Sequence, residues 1–389
     1  MNKNIWLLAA GQIFGFSAAT VTIFLSGIIG SQLSPIKSLA TLPISLTVVG
    51  TAIFTIFAAK IMSKIGRKLG FILSSIGSSL FSLLAAYAII NQNFILFCFA
   101  SFLIGTGIAF THQYRFAAAE SVEKDKIPKA ISIIMFAGIL SAFIGPNVAN
   151  YTKDFVNGYL YVGSYLSLSV LTFIPTILLI FYSGKSKINF NIKYAGRSYF
   201  QLISQPRFLQ AIISAAFAYS IMAFLMTATP ISMHVMEKIS LGKTGIVIQL
   251  HIVGMFLPSL ITGQLIKKYG HSNIMYSGVI LFVVTIIMGL FEQTFINYLI
   301  ALIFLGLGWN FLFISGTSLL IISYKEEEKF KAQGLNDILV FSTQAIASLS
   351  AGFLLTLTSW KSMNLICIPF LILIIITTFR AENLVKTNK

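Results

Sequence analysis

Residues 60–70 read KIMSKIGRKLG, a short stretch of four cations and two glycines between two long apolar runs. The first run ends near Ala59 and the second begins near Phe71. Charged side chains are costly inside hydrocarbon, so the basic stretch must lie in water. We therefore predict a tight turn that joins two membrane-spanning helices.

A similar turn recurs in the second half of the chain, where residues 263–270 read GQLIKKYG. Aligning Gly66 with Gly270 gives an offset of 270 − 66 = 204 residues in a chain of 389. Ala130 and Ala332, each after an acid-rich loop, give a second offset of 332 − 130 = 202. Two nearly equal offsets predict a duplicated membrane protein of the transporter type.

The composition excludes an ordinary soluble protein, because 57% of the residues are hydrophobic and only 10% are charged. Soluble domains carry about 25% charged residues. The net charge of +16 would suit a nucleic-acid partner, but the cations fall in short loops and form no basic domain. We expect no nucleic acid. Cys98 and Cys367 lie inside apolar runs with no ligand spacing, so neither a metal nor a cofactor is expected.

The apolar runs are each long enough to cross a bilayer and predict an all-α integral membrane fold of two six-helix halves. The first six spans are predicted at 5–29, 39–59, 71–90, 94–114, 130–150 and 160–182, and the last six at 208–229, 244–266, 273–291, 296–322, 337–357 and 363–379. The halves are predicted at 1–183 and 208–389, and the polar residues 184–207 are the linker, with an amphipathic piece against the anionic inner leaflet.

The distribution of Lys and Arg predicts the orientation. This arrangement places 22 of the 27 cations on the side of the N-terminus and leaves 27 − 22 = 5 on the other side. Those five are Lys37, Lys153, Lys238, Lys243 and Lys361. Cytoplasmic loops carry the excess of positive charge, so the N-terminus, the linker and the C-terminus are predicted to be cytoplasmic. We expect a monomer in the inner membrane of a bacterium.

The two basic turns resemble the loop between the second and third helices of the major facilitator superfamily, whose pattern is G-x-L-x-D-R-x-G-R-R. The matching residues of the first turn are Lys64, Gly66, Arg67 and Lys68, and those of the second are Gly263, Leu265 and Gly270. The resemblance implies a secondary transporter that moves a small organic solute by alternating access. It also implies that these turns are a conformational motif, in which the acid of the family's loop steadies the outward-facing state.

The acid of that loop pattern is missing here, since Ser63 takes its place in the first turn and Lys267 in the second. In the superfamily this carboxylate pairs with a neighbouring helix. We therefore expect another acid, Glu120 or Asp337, to serve instead.

The resemblance does not define the direction of transport. Drug–proton antiporters of the superfamily carry an Arg where this chain has Ser101, and a longer glycine motif where this chain keeps only Gly145 and Pro146. The remaining Gly-Pro favours proton-coupled efflux by an antiporter. The missing motifs leave open the alternative, uptake of a small organic nutrient or a metal chelate.

The resemblance implies a central cavity lined by the first, fourth, seventh and tenth spans, with the second, fifth, eighth and eleventh behind them. The polar and aromatic residues predicted to contact substrate are Gln12, Phe16, Tyr219, Gln249, Trp309 and Asn310. Helix packing is the alternative role for Gln12 and Asn310, because buried amides in membrane spans bond to neighbouring helices. A cavity of aromatic and amide groups without a central charge favours a neutral or amphipathic organic molecule.

Four residues are candidates for proton coupling or gating: His112, Arg115, His251 and Asp337. None of the 11 acids lies in the middle of a predicted span, which leaves Asp337, Glu292 near the outer face and the histidines for proton coupling, with Asp337 as the main candidate. His251 is a candidate proton carrier, with simple hydrogen bonding as the alternative. Arg115 and Asp337 are a candidate gating pair near the cytoplasmic face. Independent snorkelling of Arg115 and N-capping of the eleventh helix by Asp337 are the alternatives.

Two other classes of protein are disfavoured. A membrane-embedded enzyme needs clustered acids, histidines or a nucleophile, and the sequence shows neither a Ser-His-Asp constellation, nor an HExxH motif, nor a phosphate loop. A transporter-like sensor is expected to add a soluble domain, whereas the loops here are short. We therefore do not expect an enzyme.

Overall fold

The computed structural model describes residues 2–123, 127–183, 196–325 and 328–387, and no residue in those ranges belongs to a β-strand. The first part of the predicted linker, residues 184–195, lies outside the described residues. The prediction of an all-α fold is confirmed.

Eight helices cover the first half of the chain. They are α1 Lys3–Gly15, α2 Ser17–Leu33, α3 Leu42–Ile65, α4 Arg67–Ile90, α5 Phe94–Thr111, α6 Tyr114–Glu120, α7 Ile127–Thr152 and α8 Val162–Ile180. A 3₁₀ turn, Lys37–Leu39, precedes α3. The first predicted span is divided at Phe16, which ends α1 and precedes α2.

Nine helices cover the second half. They are α9 Tyr199–Ile203, α10 Pro206–Pro230, α11 Leu241–Phe256, α12 Ser259–Tyr269, α13 His271–Leu290, α14 Phe295–Ile321, α15 Lys329–Leu357, α16 Trp360–Ile366 and α17 Ile368–Thr387. A π-helix, Ile231–Met236, continues α10. Within the described ranges, eleven helical segments are long and apolar enough to cross a membrane, or twelve if the bent pair α11–α12 is one span.

The basic turns at Gly66 and Gly270 have the same backbone conformation. Their φ and ψ angles are 84° and 155° at Gly66, and 84° and 160° at Gly270. A positive φ of this kind is readily adopted only by glycine. The Gly66 N–H donates to the carbonyl of Met62 at 2.9 Å, and the Gly270 N–H donates to that of Ile266 at 2.8 Å. The two turns related by the 204-residue offset therefore share one backbone geometry.

The chain forms two compact units that do not coincide with the two halves of the sequence. Unit 1 is Met1–Phe190 with Thr227–Gln249, and unit 2 is Asn191–Met226 with Leu250–Lys389. Unit 1 therefore contains the end of α10, the π-helix and the first part of α11. Inside unit 1, a Cβ added to Gly27 would lie 3.3 Å from the Ile231 side chain, so α2 packs closely on the π-helix.

The eleventh predicted span begins earlier than expected. Helix α15 starts at Lys329, and Asp337 therefore lies 337 − 329 = 8 residues inside the helix. The N-capping role considered for Asp337 is wrong. The polar residues 329–336 extend the helix beyond the apolar run, where hydropathy gives no signal of helical structure.

The eighth predicted span is bent. Helices α11 and α12 meet at an angle of 41° across a break at Leu257 and Pro258. Proline has no backbone N–H and cannot continue the hydrogen-bond ladder of a helix. Carbonyl groups at such a break need other donors.

Candidate functional site

Five aromatic side chains form a cluster in unit 2, which we call the aromatic cluster: Tyr219, Phe256, Trp309, Phe313 and Phe341. Trp309 and Phe313 are one turn apart on α14, and their rings stack at 4.9 Å with an interplanar angle of 13°. The Tyr219 ring meets both edge-on, at 5.1 and 5.0 Å. Phe256 and Phe341 contact the cluster at 6.2 Å. The rings of the cluster thus meet each other by both faces and edges, with Trp309 buried among them.

The indole N–H of Trp309 is buried, and the described part of the chain offers it no hydrogen-bond acceptor. Buried donors in proteins are usually paired, and an unpaired one costs free energy. A bound molecule with a carbonyl oxygen would supply the missing acceptor. Trp309 and Tyr219, both predicted from the sequence, contact each other. The three phenylalanines of the cluster were not predicted. Phe313 could have been found from its four-residue spacing to Trp309.

Asn310 holds the bent helix pair rather than facing open space. Its side-chain N–H groups donate to the carbonyl of Met255 and to Ser259 Oγ, both at 2.7 Å, and its carbonyl accepts from Thr262 Oγ1 at 2.7 Å. These partners lie on both sides of the break between α11 and α12. The geometry supports the helix-packing role of Asn310, and a contact with substrate stays a prediction.

Gln249 is buried in unit 1, where its Nε2 donates to Asn147 Oδ1 at 2.9 Å. This contact joins α11 to α7 beside the Gly145-Pro146 pair. Gln12 of α1 is also buried, and its Oε1 has no hydrogen-bond donor among the described residues. A contact between Gln12 and substrate stays a prediction.

The ring of Phe16 meets that of His112 edge-on at 5.7 Å, so the junction of α1 and α2 lies against the end of α5. Arg115 lies over the ring of Phe116 at 4.7 Å, and its Nε has no acceptor in the described ranges. Asp337 is exposed and accepts a hydrogen bond from the Asn336 side chain at 3.2 Å. Because Arg115 and Asp337 belong to different units, the gating pair stays a prediction.

His251 is fully buried on α11, and its Nδ1 lies 2.7 Å from the carbonyl of Leu302. A carbonyl accepts only, so Nδ1 carries the proton and Nε2 is left as an acceptor. Nε2 has no partner among the residues that the structure describes. The fixed tautomer supports the hydrogen-bonding role, and proton carriage by His251 stays a prediction.

In the first basic turn, Arg67 is buried and forms a two-pronged ion pair with Glu120. Its Nε and Nη2 each donate to a different carboxylate oxygen at 2.6 Å. The structure thus places Glu120, one of the two acids considered, against the turn that lacks its own acid. Lys64 and Lys68 beside it are exposed. In the second turn, a Cβ added to Gly263 would meet nothing within 4 Å.

A second ion pair, between Arg197 and Glu328 in unit 2, was missed by the sequence reasoning. Glu328 is buried and accepts from Arg197 Nε at 2.6 Å and Nη2 at 2.5 Å, and from the backbone N–H groups of Arg197 and Lys325 at 2.9 Å. The hydrogen bonds from Arg197 lower the pKa of Glu328 to about 2. No local pattern links residues 131 apart in sequence, so only the acid-rich loop gave any signal.

No group of three or more His, Cys, Asp or Glu side chains within the described ranges is placed to hold a metal ion. The sites above are built from aromatic rings, amides and ion pairs.

The model of the Major Facilitator Superfamily matches residues 6–236 and 211–389. This chain belongs to that superfamily. It is 33% identical over 380 residues to the riboflavin transporter RfnT of Brucella anthropi, covering 96% of this chain and 94% of that relative. It is also 27% identical over 387 residues to YdeG, an uncharacterized MFS-type transporter of Bacillus subtilis, covering 94% and 88%. This major facilitator chain is a multi-pass membrane transporter.

Two solved structures share the fold of this superfamily member. The nucleoside transporter NupG superposes with a TM-score of 0.71 at 12% identity, over 96% of this chain and 99% of its own. A bacterial homologue of the lysosomal transporter Spinster, in an inward-facing conformation, gives 0.71 at 11% identity over 98% of each chain. At these identities the likeness concerns the fold alone.

Proposed function

We propose that this transporter carries a neutral, planar, heteroaromatic solute of the riboflavin type into the cell. The observation that carries the proposal is the aromatic cluster, in which the stacked Trp309 and Phe313 rings lie edge-on to Tyr219. The similarity to a riboflavin transporter over nearly the whole chain supports the same class of solute.

The chemistry of riboflavin suits this cluster. Its tricyclic ring is flat, uncharged and carries carbonyl oxygens, and its side chain is a row of hydroxyl groups. Aromatic pairs contribute about 0.5–1.5 kcal/mol beyond the burial of their area. A ring carbonyl would accept the hydrogen bond that the Trp309 N–H does not make to the described residues. A neutral solute needs no fixed counter-charge, and none of the 11 acids lies in the middle of a predicted span.

We favour uptake because the chain is similar to a riboflavin transporter. Gly145-Pro146 alone would favour proton-coupled efflux. A carrier with no acid in the middle of a predicted span would run on the gradient of the solute itself. Proton-coupled efflux is the second candidate, and Asp337, His112 and His251 are the groups on which it would depend.

The test is uptake of radiolabelled riboflavin by bacteria that cannot synthesise it, with variants matched for membrane abundance. Trp309→Phe removes the indole N–H and keeps an aromatic ring, and we expect uptake to fall about fivefold for the loss of one hydrogen bond. The matched control is Trp360→Phe, which makes the same change at a buried tryptophan paired with Tyr298, outside the aromatic cluster. We expect its uptake to stay within about twofold of the wild type.

Two further arms separate the alternatives. A protonophore should leave initial uptake unchanged if the riboflavin gradient drives transport, and should abolish it if protons are coupled. Cells preloaded with riboflavin test for efflux. If preloaded cells lose label and the first assay shows no uptake, the protein is an exporter and the proposed direction is wrong. Equal rates in cells with and without the transporter would reject riboflavin as its solute.

A further inference from the structure

A cavity of about 460 Å³ lies in unit 2 at the beginning of α13, on the side predicted to be cytoplasmic. Polar and basic side chains dominate its wall, among them Gln205, Arg207, His271, Ser272 and Asn273. The aromatic cluster contributes no residue to it. The transport proposal therefore assigns this cavity no role.

Arg207 is held in a fixed orientation by buried neighbours. Its Nη1 donates to Gln210 Oε1 at 3.0 Å and to Ser272 Oγ at 3.1 Å, and Gln210 and Ser272 are themselves hydrogen-bonded at 3.0 Å. Both partners are buried and neutral. No carboxylate in the described ranges lies within ion-pair distance of Arg207. An arginine that is positioned by neutral groups keeps its remaining N–H donors and its charge for another anion.

The cavity also receives the N-terminal end of α13, a helix of 20 residues. Its N-cap is Gly270, which has no side chain to cap the helix, and no acid lies in the first turn. The first N–H groups of a helix have no partner within the helix, and they carry a partial positive charge. This end therefore adds backbone donors to the Arg207 guanidinium.

The same place in unit 1 is already occupied by a carboxylate. At the offset of 204 residues, Gly270 corresponds to Gly66 and His271 to Arg67, whose guanidinium holds Glu120. The residue at 120 + 204 is Tyr324, and the residue at 120 + 202 is Ile322, so neither offset supplies an acid. Ile322 and Ser323 line the cavity instead. Unit 1 provides its own anion at this turn, whereas neither offset supplies an acid to pair beside Gly270 in unit 2.

We propose that this cavity binds a phosphate group, through Arg207 and the first N–H groups of α13. A phosphate has several acceptor oxygens around one centre and matches a guanidinium fork together with a helix N-terminus. Glu382 also lines the cavity and repels added negative charge. A singly charged phosphate diester, as in a phospholipid headgroup, is therefore favoured over a doubly charged free phosphate.

The experiment measures binding directly, without any transported solute. The purified transporter is held in a maltoside detergent, which contains no phosphate, and is titrated separately with inorganic phosphate and with phosphatidylglycerol. Binding is read by native mass spectrometry and by the rise in Tm. The test variant is Arg207→Gln, and the matched control is Lys267→Gln, which removes one exposed cation from the end of α12 without touching the cavity.

We expect at least one probe to bind saturably to the wild type. Arg207→Gln should weaken that binding about ten- to a hundredfold, as expected for loss of charge-assisted hydrogen bonds, and Lys267→Gln should change it less than about twofold. Binding of inorganic phosphate would identify a free phosphate as the ligand, and binding of phosphatidylglycerol alone would identify a headgroup. Equal binding by Arg207→Gln, or saturable binding of neither probe, would overturn the proposal.

A second variant covers the case in which Arg207→Gln fails to fold. Ser323→Glu keeps Arg207 and adds a carboxylate at the cavity wall, as Glu120 does in unit 1. We expect this variant to lose phosphate binding while its Tm stays at or above that of the unliganded wild type. Full phosphate binding by Ser323→Glu would contradict the site.

Discussion

The Arg67–Glu120 pair of unit 1 buries its arginine, whereas the Arg197–Glu328 pair of unit 2 buries its glutamate. In unit 1 the Arg67 side chain is 7% exposed and Glu120 is 44% exposed. In unit 2 the Arg197 side chain is 31% exposed and Glu328 is 1% exposed. The geometry of the two forks is otherwise alike, with N–O distances of 2.5–2.6 Å.

This difference matters because the two buried groups respond differently to the loss of their partners. A buried arginine cannot lose its proton in a protein, whereas a buried carboxylate can take one up. Unit 1 therefore has no way to neutralise Arg67 if Glu120 is removed. Unit 2 has a route to neutralise Glu328 if Arg197 is removed, and Glu328 also keeps two backbone donors.

The largest effect is expected for Glu120→Gln, which leaves the charge of Arg67 buried without a counter-ion. Breaking a buried pair in this way costs roughly 3–5 kcal/mol in the free energy of unfolding. Thermal unfolding in detergent should show a clear drop in Tm. The reverse change, Arg67→Gln, leaves a half-exposed carboxylate and should cost less. A larger loss from Arg67→Gln would break the proposed asymmetry.

Arg197→Gln is expected to have a smaller effect, about 2 kcal/mol at neutral pH, because Glu328 retains its backbone hydrogen bonds. The loss should shrink below about pH 5, where an unpaired buried carboxylate becomes protonated. Unfolding curves at several pH values measure this. The exposed pair Lys153–Asp154 supplies the control, since Asp154→Asn should stay within about 0.5 kcal/mol at each pH.

Alanine at either basic turn is expected to cost about 1–2 kcal/mol, because φ is 84° and ψ is 155° at Gly66 and 160° at Gly270, a backbone region essentially restricted to glycine. A Cβ at Gly270 would meet nothing within 4 Å, so the cost there comes from the backbone alone. Gly334→Ala, in the interior of α15 and also open, should instead be neutral or slightly stabilising. If the two substitutions change the free energy of unfolding by different amounts, the two turns contribute unequally to stability although their backbone geometry is the same.

The smallest change should accompany mild acidification. The hydrogen bonds from Arg197 lower the pKa of Glu328 from 4.5 to about 2. A lowered carboxylate pKa adds stability that is present above the ordinary pKa and is lost as the pH falls through the folded pKa. The advantage of the wild type over Glu328→Gln should thus decline by about 1 kcal/mol or less from pH 7 to pH 4. A constant difference across this window would contradict the lowered pKa.

Much of the fold could be predicted from the sequence, because membrane spans are long and apolar and glycine is required at the turns. The helix ends could not, as the polar beginning of α15 shows. Asp337 was placed at a helix start only because the apolar run starts there. Hydropathy reports where a chain meets lipid and says little about a helix that continues into water.

The candidate site was predicted in part. Trp309 and Tyr219 could be selected because large aromatic residues near amides are typical of binding cavities. The sequence could not show that Asn310 forms its hydrogen bonds with residues on both sides of the break at Pro258. Those contacts depend on which residues of α12 lie opposite α14. Arg197 could not be paired with Glu328 for a similar reason, because long-range ion pairs leave no periodic signal.

The composition of unit 1 has a practical consequence for protein engineering. A chimaera that joined residues 1–183 of this chain to the second half of a relative would replace Thr227–Gln249, and with it Gln249, the partner of Asn147. Splice points between Met226 and Thr227 and between Gln249 and Leu250 keep each compact unit from a single parent. Crossovers at these two junctions, rather than one in the linker, are the better way to exchange the aromatic cluster between related transporters.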